Sequence, residues 1–82
     1  MATVLLHLEV SKTLDSLPDD IEERIRSKLS NAGAEPGRHL KPLTGRDDYS
    51  LRIAKRRAII DWDKQQNELR VLKIDTRDTV YR

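Results

Sequence analysis

The chain has 82 residues, with 16 lysines and arginines against 14 acidic residues and a formal net charge of +2. This length predicts one domain over residues 1–82, with a small core and a shallow site at most. Cysteine is absent, which excludes disulfides and thiolate zinc sites, and His7 and His39 are not in a ligand spacing. We therefore expect no metal and no cofactor.

The N-terminal segment MATVLLHLEV has an apolar run much shorter than the roughly 20 residues that span a bilayer. It has no basic region before it and no small-residue cleavage site after it, so it does not resemble a secretion signal. The lack of cysteine favours a reducing compartment. We expect a soluble, cytoplasmic protein that makes no membrane contact.

Charge is distributed unevenly along the chain. Residues 1–40 carry five basic and seven acidic side chains, whereas residues 41–82 carry eleven and seven, giving net charges of −2 and +4. A basic C-terminal half indicates a polyanionic partner, most simply nucleic acid. Ordinary surface lysines and arginines would explain the same counts equally well.

The first elements are predicted to be a strand and a short helix. Apolar residues at every second position, with His7 on the other face, predict a strand whose packed side carries Val4, Leu6, Leu8 and Val10. From Ser11 the spacing changes to that of a helix, for which Ser11 would be the N-cap. The apolar side of this helix would carry Val10, Leu14 and Leu17.

A second helix is predicted to begin near Ser16, which would be its capping serine, followed by Pro18 and an acidic first turn. Its apolar stripe would consist of Ile21, Ile25, Leu29 and Ala32. Arg24, Arg26 and Lys28 would then face water or a partner. The segment 31–37, NAGAEPG, contains the residues that end helices.

A period of two returns after this segment and predicts three strands. The first two would cover residues 49–54 and 57–62, and a polar connection at residues 63–67 would lead to a third at residues 69–74. The order of elements predicts an α+β fold with an N-terminal strand, a helical hairpin and a three-strand antiparallel meander. One sheet would have helices packed on one face.

Basic residues are predicted to converge on the face of the sheet that the helices leave open. A tight turn through Lys55 and Arg56 would return the chain so that Arg57 lies beside Arg52. The end of the last strand would bring Arg77 to the same region. Such a positive, twisted face could hold a phosphodiester backbone.

The alternative is a solvated surface on which these arginines pair in part with Asp61 and Asp75. The sequence contains no serine-nucleophile motif, glycine-rich phosphate loop, paired-carboxylate site or zinc spacing. Cleavage of RNA by its own 2′-hydroxyl needs no protein nucleophile, and arginines stabilise the charge of a pentavalent phosphate well. They transfer protons badly near neutral pH, so such a site would depend on positioning by a large partner.

Two stretches resemble the RelE/ParE superfamily of toxins. The residues LTG at 43–45 with YSLRIAKRRAII at 49–60 resemble the family's L-x-G and Y-R-L-R-V-G-D-Y-R-V-I-Y pattern. The ending VLKIDTRDTVY at 71–81 resembles V-L-x-I-G-H-R-x-x-V-Y, although Asp75 and Thr76 replace Gly-His. The resemblance covers nearly the whole chain, because the preceding strand and helical hairpin fit the family's order of elements.

This resemblance, in its RelE branch, implies a toxin of a type II toxin–antitoxin system that a cognate antitoxin holds inactive. Such a toxin acts on the ribosome as an endoribonuclease, cutting mRNA without a metal and inhibiting translation. The resemblance implies that Arg52 orients the scissile phosphate or the attacking hydroxyl. It implies that Arg57 and Arg77 stabilise the charge of the transition state, with Arg77 the better candidate for assisting the leaving oxygen. Tyr81 would stack on a base or assist the reaction, or its ring would only pack the chain end onto the sheet. The RNA backbone would be bound by Lys55 and Arg56.

Two alternatives stay open from the sequence. A ParE-like toxin would share the fold and the antitoxin but inhibit DNA gyrase without being a nuclease. A degenerate member would only bind its antitoxin or nucleic acid. Basic residues at all three arginine positions favour the RelE-like interpretation.

Overall fold

The computed structural model describes residues 1–45, 47–53 and 56–75. Its helices are α1 (Leu8–Asp15), α2 (Asp19–Ala34) and the short α3 (Pro36–His39). Its strands are β1 (Thr3–Leu6), β2 (Lys41–Pro42), β3 (Tyr49–Ile53), β4 (Arg56–Asp63) and β5 (Glu68–Asp75). The strands form one mixed sheet in the order β1-β5-β4-β3-β2, in which β1 and β5 are parallel and the other pairs antiparallel.

The predicted α+β fold is confirmed, and the structure adds two small elements to it. The meander of β3, β4 and β5 has the predicted order, and β1 joins it beside β5. The sequence prediction missed α3 and the two-residue edge strand β2, because elements of two to four residues are too short to show a period. Within the described residues, no helix has both the length and the apolar composition needed to cross a membrane.

The core lies between the sheet and the helices α1 and α2. The predicted stripe of α2 is confirmed, since Ile25, Leu29 and Ala32 are buried and Ile21 packs against the core at its edge. The sheet contributes buried side chains from its three long strands, namely Leu51, Ile53, Ala58, Ile60, Leu69, Val71 and Ile74. These residues share one face of the sheet, which is the face that packs against α1 and α2.

The predicted boundary between the first strand and the first helix is wrong. The strand ends at Leu6, and α1 begins at Leu8 with His7 as its N-cap, four residues before the predicted cap Ser11. The His7 backbone N–H donates to the Val71 carbonyl at 3.0 Å, and its Nδ1 accepts from the Glu9 N–H at 3.3 Å. Val10 is therefore buried as a helical residue and not as a strand residue.

The helix caps near residue 17 also differ from the prediction. Ser16 ends α1, where its hydroxyl donates to the Thr13 carbonyl at 2.7 Å. The N-cap of α2 is Pro18, without a side-chain capping hydrogen bond, followed by the predicted acidic first turn. The acidic residues there interact favourably with the positive end of the helix dipole and contribute in place of a capping serine.

A register shift in β5 determines which residues reach the open face. Ile59 pairs with Lys73 whereas Ile60 pairs with Val71, so Leu72 is an extra residue in β5. The bulge allows Val71 and Ile74 both to be buried although they are three positions apart. It also places Asp75 opposite Arg57.

Four charged side chains join β4 and β5 near their hairpin. The Arg70 guanidinium lies 3.1 Å from the Asp61 carboxylate, 3.0 Å from Asp63 and 2.8 Å from Glu68. The pKa of Asp63 is lowered, first by the hydrogen bond that the Gln66 backbone N–H donates to it and then by Arg70. These carboxylates raise the pKa of the Arg70 guanidinium.

The lowered pKa of Asp63 predicts a stability contribution that depends on pH. Its folded pKa lies below its unfolded value, so the contribution is present above the unfolded value and disappears as pH falls through the folded pKa. Asp63→Asn should therefore be less stable than wild type at neutral pH, with a difference that shrinks toward pH ~2. Urea unfolding over this pH series measures the difference. Asp47→Asn removes a carboxylate outside the cluster as a control, and an equal gap for Asp63→Asn at both ends of the series contradicts the prediction.

Candidate functional site

Arg52 and Arg57 lie directly opposite each other on neighbouring strands. The antiparallel register pairs Arg52 of β3 with Arg57 of β4, and it places both on the face opposite the buried residues Leu51, Ile53 and Ala58. Directly paired residues in such a ladder have Cβ atoms about 5 Å apart. The prediction that these two arginines share one face of the sheet is confirmed.

The two arginines line a cleft of about 280 Å³. Its lining comes from α2, α3, β2, β3 and β4, and consists of Lys28, Arg38, His39, Lys41, Ser50, Leu51, Arg52 and Arg57. The volume is just below the roughly 300–1,000 Å³ typical of pockets that enclose drug-sized ligands. A cleft of this size can accommodate a short piece of an extended polymer.

The cleft is strongly positive. Five of its described lining residues are lysines or arginines, and none is acidic. Arg38 forms an exposed pair with Glu35 at 3.8 Å, which is weak because water screens it. The nearest carboxylate in the strand register is Asp75, opposite Arg57. Several cations around one concavity attract a polyanion and bind phosphate oxygens more strongly than isolated surface lysines do.

The short elements α3 and β2 at the edge of the sheet position the lining residues Arg38, His39 and Lys41. In α3, Pro36 is at the first turn and its carbonyl accepts the Leu40 N–H at 2.9 Å. Leu40 is buried and fixes the chain between α3 and β2. Lys41 then pairs with Ser50 in the β2–β3 ladder, so it lies on the same face as Arg52.

Six of the eight lining residues were not assigned to the site from the sequence. Four of these six, Lys28, Arg38, His39 and Lys41, come from α2, α3 and β2, and no spacing rule brings a helix surface beside a particular strand. Lys28 was predicted to face water or a partner, and that exposed position on α2 is confirmed. The basic composition of residues 38–41, RHLK, was the available signal.

Arg56 lies in a different place from the one predicted. It is the first residue of β4, paired with Ile53, and not a turn residue. Because successive strand residues point to opposite faces, Arg56 is on the opposite side of the sheet from Arg57. It is half-buried, and its Nε has no hydrogen-bond partner among the described residues. The cleft residues therefore do not include it.

The other predicted site residues, Lys55, Arg77 and Tyr81, lie outside the described residues. Their roles stay predictions. The end of β5 is described as far as Asp75, which lies beside Arg57. The strand thus ends next to the cleft, as the meander predicted.

The fold has a five-strand mixed sheet, with α1 and α2 packed against it and a basic cleft at the edge formed by β2 and β3. Against solved structures, the chain is similar to a chain of the RelBE2 toxin–antitoxin complex of Mycobacterium tuberculosis, with 24% identity, a TM-score of 0.83, and coverage of 93% of this chain and 98% of that one. It is likewise similar to a chain of the archaeal RelE–RelB complex of Pyrococcus horikoshii, with 23% identity, a TM-score of 0.78 and 98% coverage of both chains.

The match extends to a toxin without its antitoxin. A variant of the E. coli toxin RelE in the free state has 16% identity and a TM-score of 0.72, covering 90% of this chain and 82% of that one. At these identities, the likeness establishes that this chain has the RelE-like fold. Comparison of the sequence with models of protein families and with curated proteins finds no match.

Proposed function

We propose that this protein is the toxin of a type II toxin–antitoxin system and that it cuts mRNA on the ribosome. The observation that carries the proposal is the cleft in which Arg52 and Arg57 meet three further cations. The fold is that of RelE toxins, and a cleft without acidic lining suits a phosphodiester better than a neutral or cationic substrate. Cleavage would take place in the cytoplasm and would stop translation.

The reaction in this proposal is attack of a ribose 2′-hydroxyl on the adjacent phosphate. The 2′-oxygen forms a bond to phosphorus, the bond from phosphorus to the 5′-oxygen breaks, and one proton leaves the nucleophile while another reaches the leaving oxygen. Arg52 would orient the phosphate, and Arg57 would stabilise the extra charge of the pentavalent state. Both arginines can do so because their guanidinium groups present several N–H donors in a fixed plane.

The remaining predicted residues have supporting roles in this proposal. Arg77 would assist the leaving oxygen, and Tyr81 would stack on a base. Lys55 and Arg56 would hold the RNA backbone outside the cleft. For Arg56 this requires the guanidinium to reach RNA from the helix-covered side of the sheet, since Arg56 pairs with Ile53.

The proposed partner in the resting state is an antitoxin protein. Two similar chains were solved as toxin–antitoxin complexes. Three leucines of β1, α1 and β5 are exposed, with 42% of Leu5, 64% of Leu8 and 39% of Leu72 accessible to solvent. β1 and β5 are neighbouring strands, and exposed apolar side chains that form one patch are typical of protein interfaces.

A cell-free translation assay tests the proposed function. Purified protein is added to ribosomes that translate a defined mRNA, and primer extension locates any cut. We expect cuts within ribosome-bound codons and none in the same mRNA without ribosomes. If the mRNA stays intact and a separate assay shows that the protein blocks DNA supercoiling, the function is inhibition of DNA gyrase and not RNA cleavage. Intact mRNA and normal supercoiling would leave a binding protein and overturn the nuclease.

A further inference from the structure

The basic cleft contains one imidazole among its described lining residues, that of His39. His39 is the last residue of α3 and is half-buried, and Arg38 and Lys41 also line the cleft. The buried Leu40 follows it, and the Leu40 N–H donates to the Pro36 carbonyl at 2.9 Å. The Arg38 N–H donates to the Glu35 carbonyl at 3.1 Å, so backbone hydrogen bonds fix the chain on both sides of His39.

The proposed reaction needs a proton acceptor, and the cleft's cations are poor candidates. Arginine stays protonated in proteins, and a lysine ammonium has no lone pair to offer in its usual charged form. A neutral imidazole has one nitrogen that accepts a proton and one that donates. Among the described lining residues, only His39 carries a group that commonly gains and loses a proton between about pH 5 and 8.

On these observations we infer that His39 is a catalytic residue, the general base that takes the proton from the attacking 2′-hydroxyl. This inference rests on the proposed RNA cleavage and assigns a step that the arginines cannot perform. One imidazole nitrogen accepts the proton as the 2′-oxygen bonds to phosphorus, while Arg57 stabilises the phosphate. The proton for the 5′-oxygen comes from another group or from water, and the imidazolium returns its proton to solvent after the reaction.

The charged groups around His39 come from every neighbouring element. They are Lys28 of α2, Arg38 of α3 with its partner Glu35, Lys41 of β2, Arg52 of β3, Arg57 of β4, and Asp75 of β5 opposite Arg57. Comparison of wild type with a His39 variant therefore separates an effect of the imidazole on the rate from an effect of these cations.

Single-turnover cleavage of ribosome-bound mRNA as a function of pH tests this inference. A plot of the wild-type rate against pH should have a rising part, the pH limb, that corresponds to the loss of one proton. His39→Gln should lose roughly 10²-fold or more in rate at neutral pH, and that limb should flatten. Binding to ribosomes, measured by sedimentation, should be unchanged, because glutamine keeps a polar group of similar reach.

The chain's other histidine provides the matched control. His7 caps α1 and is not among the cleft's lining residues, so His7→Gln should keep the wild-type pH limb. In His39→Ala, added imidazole should restore part of the rate, which a purely structural role would not allow. Circular dichroism checks that each variant is folded.

The outcomes separate the two levels of the proposal. If wild-type protein does not cut ribosome-bound mRNA, the proposed function fails before His39 is tested. If wild type cuts and folded His39→Gln keeps both the rate and the pH limb, the role of His39 is overturned while the nuclease stands. Loss of rate with an unchanged limb and no imidazole rescue would also overturn the role as base.

Discussion

Replacing Arg57 by glutamine should lower the single-turnover cleavage rate by roughly 10²–10³-fold, the usual cost of removing one preorganised transition-state contact. Arg57 lies opposite Arg52 and lines the cleft, so its guanidinium can reach the phosphate on which charge develops. Binding to the ribosome should change little, because four other cations of the cleft remain. Arg57→Lys should recover only part of the rate, since an ammonium keeps the charge without the planar pair of donors.

The control for charge is Arg24→Gln. Arg24 is exposed on α2 and does not line the cleft, so this variant loses the same charge and should cut mRNA at the wild-type rate. Rates come from the disappearance of full-length mRNA in programmed ribosomes, with circular dichroism to check folding. A folded Arg57→Gln protein that cuts as fast as wild type would remove Arg57 from the mechanism. Equal losses in both variants would indicate a general effect of charge on binding.

The pairing of Arg52 with Arg57 could be predicted because it depends only on local rules. A period of two assigns each residue to a face, and a tight turn between adjacent strands fixes the register within a residue or two. The period of two also predicted the three-strand meander, and a helical period identified the α2 stripe in the same local way. Local reasoning failed at Ser16, which does not cap α2, and at Arg56, which lies in β4 and not in the turn.

The boundary at His7 could not be predicted, because a distant contact decides it. Leu8 and Val10 suit the inner face of a strand and one side of a helix equally well. The His7 N–H donates to the Val71 carbonyl as the last bond of the parallel ladder between β1 and β5, and β5 is distant in sequence. The register shift at Leu72 follows in β5, and the pairing with β1 stops there. The bulge at Leu72 has a similar origin, since packing of both Val71 and Ile74 selects it.

Most of the cleft's lining escaped prediction, and for three of its residues the reason is again a contact between distant parts of the chain. Lys28, Arg38 and His39 become neighbours of Arg52 only when α2 and α3 dock at the edge of β3. Sequence alone gave no relation between those helices and that edge. This matters for the proposed mechanism, because Arg52 and Arg57 on the sheet supply positive charge, whereas the inferred general base, His39, comes from α3.

Replacing Gly33 by alanine should destabilise the protein, because α2 ends in close contact with the beginning of the chain. A Cβ at this position would lie 2.7 Å from Val4 Cγ2 and 3.0 Å from the Ala2 carbonyl oxygen. The Gly33 carbonyl also accepts the Ala2 N–H at 2.6 Å, so the backbone there cannot move away without weakening that bond. Val4 is β-branched and has few alternative rotamers.

The expected loss combines two opposing terms. Overpacking costs about 1–3 kcal/mol, while alanine in place of glycine improves helix propensity by about 1 kcal/mol. The difference of these two terms is a net loss of up to about 2 kcal/mol. Its middle value of about 1 kcal/mol lowers Tm by roughly 4–8 °C in a domain of this size. Urea and thermal unfolding measure both quantities.

Gly37→Ala is the matched control, with the same added methyl group in another helix. A Cβ at Gly37 in α3 would have no atom within 4 Å, so no overpacking term applies. Stability should stay the same or rise by up to about 1 kcal/mol, because alanine lowers the conformational entropy of the unfolded chain. If Gly33→Ala is also neutral or stabilising, the N-terminal strand shifts to make room for the methyl group with little loss of stability. The close contact between α2 and this strand then does not limit the size of residue 33. Opposite signs for the two variants would establish that contact as the cause.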